Sequence, residues 1–397
     1  MDKQYLYDLA FKFKKDKIWK KLYDSELYAV RLDDGQIGYC CVMGYLGEVL
    51  ALTLYVGDKG LDSFRNLIDE HEDWEDTPDL MVQDCIQCAL SGKDELSEEE
   101  LDEVRAYARK KGIALRGANA FPQFLRFWPY CIPWLISDEA EWRYIARALE
   151  ITNRLSDYLK THQKSELGLR SIFTYDESLP LLTEDGDGLS AERIPLPPKA
   201  VPVYPEPAAL DDMTLARLKR LKRQGTLECD IVRVPEPVQN DPEQVPYVPA
   251  QFVAVFQGSG MMLGTTLSKS PIVDVNAFQS ALVDMLISNS ACPVEVLVRN
   301  EQTKQLLKGL CVGLKIKLTY TEEMPELDDT LDSLHEHLSG MDEDDMGEMS
   351  DSINEMIEAL QALSDKELRH LPSFIRQQLL ALDEWGMLPE DLAKRLR

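Results

Sequence analysis

The side chains of this 397-residue chain that could do chemistry fall into small groups, and each meets a geometric test that its chemistry would impose. Cys85 and Cys88, in DCIQCA, have the spacing of a metal-ligand pair. A structural zinc site needs four ligands, however, and no second pair with that spacing occurs. On an alternating strand the two would also point to opposite faces. Cys40 and Cys41 are adjacent and do no better, so all four read as buried thiols that pack like small apolar groups. His335 and His337 flank Glu336, but on a helix an i, i+2 pair is splayed by about 200° and cannot chelate together. The His-Glu-x-x-His pattern of metalloproteases is absent. Asp185 and Asp187 start like a calcium loop and lack its later ligands and closing Glu. Gly258-Ser259-Gly260 offers backbone amides to an anion, yet it lies between two strands with no helix start behind it, which makes a hairpin turn the better reading. No metal or cofactor is expected.

The densest aromatic set surrounds Arg126. Trp128, Tyr130 and Trp134 follow Phe121, Phe124 and Phe127 within FPQFLRFWPYCIPWLI, residues 121–136. Aromatic side chains dominate core burial, so packing is the first account of them. The functional alternative is a proline-shaped groove for a peptide or ligand, in which Arg126 would meet a carboxylate or phosphate.

The elements that must position these groups can be read from periodicity and caps. Residues 2–22 read as an amphipathic helix in two pieces. Residues 27–32 and 37–43 flank Asp34-Gly35, a tight hairpin turn, and residues 49–56 are apolar on both faces, as expected at the centre of a sheet. A helix over 58–68 and a strand over 81–90 follow. Ser97 and Glu100 form a capping box for a charged helix that ends near Gly112, and a second long helix begins behind Ser137 with a stripe through Trp142, Ile145, Leu149 and Leu155. The three prolines of 121–136 forbid a regular helix there and predict an extended, kinked strand. A last hairpin spans 179–196.

Twelve of the 21 prolines fall between Pro180 and Pro249, and IPLPPKAVPVYPEP reads as a stiff connector. The expected organisation is an N-terminal mixed α/β domain with an antiparallel meander over 1–198, then a proline-rich linker over 199–250 that carries a basic helix around 211–224 and a strand over 227–234. A second α/β domain follows over 251–340, and an acidic helical tail over 341–397. The expected fold class is α+β.

The second domain, a strand hairpin followed by helix, strand, helix, strand, helix, resembles the ribonuclease-H-like fold. That fold holds two divalent cations about 4 Å apart, which requires several anionic oxygens. Taking 252–257 as its first strand places Gln257 at the position of the first acid. The later strand ends in Arg299 and Asn300, and Asp284 is the one acid well inside the first helix. The resemblance therefore implies a nuclease fold without nuclease chemistry. The block FPQFLRFWPYCIPWLISDEAEWRYIARALE, with MMLGTTL and VEVLVRN in the second domain, resembles over about residues 1–338 a two-domain family of bacterial cytosolic proteins with no assigned activity. It lacks the short cysteine-rich zinc motif that some relatives append.

Charge narrows the partners. The net charge is −27, and the stretch from Leu318 to Asp365 holds 16 acids with no Lys or Arg. Such a surface repels phosphate backbones, which disfavours nucleic acid, although basic runs occur at Lys12–Lys21 and at Arg217, Lys219, Arg220, Lys222 and Arg223. No apolar run approaches the roughly 20 residues needed to span a bilayer, the start lacks a signal-peptide core, and eight scattered cysteines suit a reducing compartment. The expectation is a cytoplasmic, non-catalytic protein-interaction or scaffolding protein with a protein partner. Its alternatives are a nucleic-acid enzyme with a degenerate site and a small-ligand sensor.

Overall fold

The structure, a computed structural model, describes residues 3–47, 49–69, 80–174, 177–186, 188–234, 237–239, 244–258, 261–268 and 274–339. The chain divides between Pro202 and Val203 into two compact units. The expected C-terminal helices lie outside the described residues, as does the start of the first helix at residue 2.

The first unit runs α1 (Lys3–Asp16), β1 (Tyr28–Arg31), β2 (Ile37–Met43), β3 (Ala51–Val56), α2 (Gly57–Asp69), β4 (Cys85–Ser91), α3 (Glu98–Lys111), β5 (Phe121–Phe127), β6 (Trp134–Leu135), α4 (Glu139–Tyr158), β7 (Ser178–Asp185) and β8 (Gly188–Pro195). Its eight strands form one sheet in the order β6-β5-β4-β3-β2-β1-β7-β8, antiparallel throughout except where β1 meets β7. Strand alternation sorts the apolar residues onto two faces. Tyr28, Val30, Cys40, Val42, Leu52, Leu54, Ile86 and Cys88 pack beneath α1, α3 and α4. Ala29, Tyr39, Cys41, Tyr55 and Cys85 pack on the other face with Leu61 and Phe64 of α2. With helices on both faces, β2 to β4 must be apolar all round, and β3 lies fourth of eight strands, at the centre as its sequence predicts.

Caps hold the helices where their sequences place them. Ser97 and Glu100 form the reciprocal box of α3, and Gly112 ends that helix at φ 67°, a left-handed conformation that glycine adopts without strain. The N-cap of α4 is Asp138, one residue beyond Ser137, because its carboxylate accepts from both Ala140 N and Glu141 N. Two polar ties anchor α4 beneath the sheet. The Tyr28 hydroxyl lies 2.6 Å from Thr152 Oγ1, and Asn153 Nδ2 donates to Leu9 O at 3.0 Å.

The second unit runs α5 (Asp212–Leu218), β9 (Lys222–Arg223), β10 (Thr226–Arg233), β11 (Ala250–Phe256), β12 (Met261–Leu267), α6 (Val275–Ser288), β13 (Ala291–Cys292), β14 (Glu295–Val298), α7 (Glu301–Leu314), β15 (Lys317–Tyr320) and α8 (Pro325–Ser339). Five strands form a mixed sheet in the order β12-β11-β10-β14-β15, and β9 pairs with β13 in a separate parallel ribbon. The β10-β11-β12 run is antiparallel, and β10, β14 and β15 are mutually parallel. Leu227, Cys229, Phe252 and Val296 face Phe278, Leu282, Leu306 and Leu310 of α6 and α7. Val253 and Val255 face Met324 and Leu327 at α8.

Two expectations need correction here. The basic helix expected over 211–224 ends at Leu218, and Lys222 and Arg223 lie instead on β9, where Arg223 donates to the carbonyls of Pro293 and Leu314. The strand expected over 227–234 is present over 226–233, but as β10 at the centre of the second sheet rather than within a linker. The meander thus begins one strand earlier, and Gln257 follows its second strand. Among the described residues no helix is long and apolar enough to cross a membrane.

Candidate functional site

The shift to β10 brings acids into the centre of the second sheet. Glu228 and Asp230 alternate with Leu227, Cys229 and Ile231, so both carboxylates leave the strand on one face. They are 0% and 2% exposed. Burying ionised carboxylates this deeply is costly unless each oxygen is met by a donor, so the partners decide what the site can do.

Asp230 is fully met. Arg299, just past the end of β14, donates from Nε to Asp230 Oδ2 at 2.5 Å. Asn300 Nδ2, Thr303 Oγ1 at 3.1 Å and the Ile231 amide at 2.7 Å all donate to Oδ1. Asn300 is also the N-cap of α7, accepting from Thr303 N at 2.8 Å. The second arm of Arg299 reaches Asp328 on α8 at 2.5 Å. One guanidinium therefore ties the central strand, the edge of β14 and the first turn of α8. Burial works against its charge, and the hydrogen bonds to Asp230 and Asp328 more than offset that, leaving its pKa above the ordinary value. A cation already lies between the two carboxylates, and it belongs to the protein. Among the described residues no three His, Cys, Asp or Glu side chains converge as metal ligands. Asp284 is exposed on α6, and nothing is described of the His335 and His337 side chains.

Glu228 is met by half. Its Oε2 accepts from Leu327 N at 2.8 Å, at the start of α8, while Oε1 is buried with no hydrogen-bond partner among the described residues. Burial raises its pKa above the ordinary 4.5, and the nearby carboxylates of Glu326 and Asp328 add to the rise. Because the folded pKa exceeds the unfolded one, this group contributes stability that is present below about 4.5 and lost as the pH rises through the folded value. Glu228→Gln, which mimics the protonated form, should therefore be more stable than the parent at pH 7 and near parity at pH 4. Urea unfolding of both proteins across that range checks it, and an equal difference at both pH values would contradict it.

In the first unit, the structure places Arg126 of β5 beneath Trp128, with its guanidinium 4.9 Å from the ring centroid. Across the β5–β6 pairing Arg126 faces Trp134 in register, and Tyr130 sits in the intervening turn at φ 59°, its amide donating to Met81 O. Arg126 is 8% exposed, and its donors are taken up inside the unit. They reach Asp84 Oδ1 at 2.6 Å, Glu141 Oε1 at 2.8 Å, Cys85 O at 3.0 Å and the carbonyl of Phe127. Burial pushes the Glu141 carboxyl up, against the pull of Arg126. The four thiols considered from spacing are buried, Cys85 and Cys88 on opposite faces, and burial raises the pKa of each. A raised pKa disfavours the thiolate that metals and electrophiles require.

With this geometry in hand, comparison with known families divides the chain in the same way. Residues 4–171 match the model described as Domain of unknown function (DUF7309), and residues 214–335 match that described as Domain of unknown function (DUF6930). The two matched regions together span most of the chain, one in each compact unit. Neither a curated protein nor a solved structure matches it. The DUF6930 match begins within α5 and includes β10, so the Asp230–Arg299 centre belongs to that domain. Sequence reading missed Glu228 and Asp230. The available signal was TLECDIVR itself, in which two acids at i and i+2 interrupt an apolar strand on one face.

Proposed function

We propose that the chain is a non-catalytic protein-interaction or scaffolding protein, with the DUF7309 domain supplying the contact. The observation that carries this is an exposed apolar ledge. Tyr23, Tyr45, Leu46 and Val49 rim a hollow of about 290 Å³ beside the turn from β2 to β3. Leu46 is 88% exposed, and Tyr23 and Tyr45 pack with ring centroids 4.2 Å apart. Single exposed apolar residues need no explanation, but contiguous ones rimmed by charge mark contact surfaces. Lys164 supplies such a rim, 5.0 Å over the Tyr23 ring and paired with Glu26.

The DUF6930 domain supports the absence of hydrolysis in this reading. Its order of an antiparallel meander continued by two parallel strands supports the resemblance to the ribonuclease-H-like fold, with β10 taken as first strand. Asp230 then stands at the position of the first acid and Arg299–Asn300 at the later one. An arginine in place of a carboxylate neutralises the remaining acid rather than joining it in binding a cation. The acidic stretch 318–365 favours a basic partner, whose binding should weaken with salt.

A photo-crosslinking residue placed at Leu46 in the full chain tests the ledge in living cells. Discrete crosslinked protein products, lost when Tyr45 is changed to Ser, are the expected result. A chain that crosslinks to nothing, or one that cleaves DNA, RNA or hybrids with Mg²⁺ or Mn²⁺, would overturn the reading.

A further inference from the structure

A different cleft in the first unit carries a ligand site. Between α1 and α3 lies a hollow of about 320 Å³ lined by Lys3, Tyr7, Glu103, Tyr107 and Lys110, and a smaller recess of about 70 Å³ shares Lys3, Tyr7 and Glu103 with it and continues to Phe124 and Trp142. The sequence of α1 explains the wall. Tyr7, Ala10 and Phe11 belong to its buried stripe, so the Tyr7 ring is packed, 5.1 Å from Tyr107 and 5.8 Å from Phe124.

Three observations converge on the kind of ligand. Tyr7 is 92% buried, since its exposure is 8%, and it lines both hollows, yet its hydroxyl has no hydrogen-bond partner among the described residues. The ring carries that burial, while the hydroxyl opens on the cleft and is free to bond a group that enters it. Glu103 has a single described partner, the Lys3 ammonium at 3.2 Å, so half of its carboxylate is uncommitted, whereas Glu100 is taken up by Ser97 and Gln123. Finally, the protein shows which chemistry the walls accept. The Lys3 ammonium lies 5.9 Å from the centroid of Trp142, and Lys111 lies 5.6 Å over Tyr107 while paired to Asp8 at 2.6 Å. Aromatic faces beside carboxylates recognise cations.

We propose that this cleft binds a small organic cation, a primary ammonium or guanidinium on a short apolar body, held between Glu103, the Tyr7 hydroxyl and the face of Trp142. The ligand takes the place of the Lys3 ammonium, whose side chain is 57% exposed and can turn to solvent at little cost. An ammonium carries three donors, enough to bond Glu103 and the Tyr7 oxygen together. The larger hollow limits the ligand to roughly ten non-hydrogen atoms at about 30 Å³ each, the volume of a liquid water. This site is separate from the Tyr45–Leu46 ledge and does not depend on it.

The test is calorimetric titration of the full chain with n-pentylamine and agmatine, with n-pentanol as the uncharged control of the same length. Saturable binding of the amines and none of the alcohol is expected. Tyr7→Phe keeps the packed ring and removes a hydroxyl that bonds nothing in the fold, so its Tm should stay within about 1 °C of the parent while amine affinity falls about tenfold. Glu103→Gln should lose about as much affinity. Lys3→Met removes the internal competitor and should bind the amines several-fold more tightly. The proposal is overturned if parent and Lys3→Met both fail to bind amines at millimolar concentration, if n-pentanol binds equally well, or if Tyr7→Phe binds as the parent does.

Discussion

Arg299→Met should destabilise the second unit by about 3–5 kcal/mol, because it leaves Asp230 charged, buried and short of its main donor. Asp230 is 2% exposed, and the remaining donors from Asn300, Thr303 and the Ile231 amide carry no charge. The substitution also frees Asp328, so the first turn of α8 loses its tie to the sheet. The double variant Asp230→Asn, Arg299→Met should recover a substantial part of the lost stability, since removing both partners is far less costly than removing one. Five of the six tryptophans precede Pro202, so fluorescence should report the first unit almost unchanged while far-UV circular dichroism records early loss of the second. An Arg299→Met protein as stable as the parent at neutral pH would mean that the guanidinium does not neutralise Asp230.

The second large effect is expected at Arg126. Arg126→Lys should cost more than about 2 kcal/mol despite keeping the charge, and Arg126→Met about 3–5 kcal/mol. The planar guanidinium joins the turn before β4 through Asp84, β4 itself through Cys85 O, and the first turn of α4 through Glu141. A lysine has one nitrogen at one point and can meet only part of that set. Trp128, lying over the guanidinium, makes the change visible as an altered emission spectrum in the native state as well as an earlier unfolding transition. If Arg126→Lys left stability unaltered, the arginine would be held for a ligand outside the fold, as the aromatic groove reading of Arg126, Trp128, Tyr130 and Trp134 supposes.

Much of the fold was legible because local physics wrote it locally. The Ser97–Glu100 box, the Asp34-Gly35 turn, the prolines of 121–136 and the double-sided apolar run of β3 each announce an element from a few neighbouring residues, and each element is present. Cys85 and Cys88 falling on opposite faces follows from strand alternation alone. The position of β10 was not legible in the same way. A strand of eight residues between proline-rich stretches carries no local mark of being central, because centrality is a property of its neighbours β11 and β14, which are distant in sequence.

The same division applies to the sites. Residue types and spacing by themselves determined that this chain is strongly acidic, has two folded regions joined through a proline-rich segment, and holds cysteines and histidines too poorly spaced for common metal motifs. Tertiary structure alone decided that Arg299 meets Asp230 across 69 positions, that Arg126 is consumed inside its own unit, and that Tyr7 of α1 opens toward Glu103 of α3. The reason is physical. Caps, turns and periodicity act over four or five residues, whereas the partner of a buried charge is chosen by whichever strand and helix ends the sheet brings within hydrogen-bonding distance.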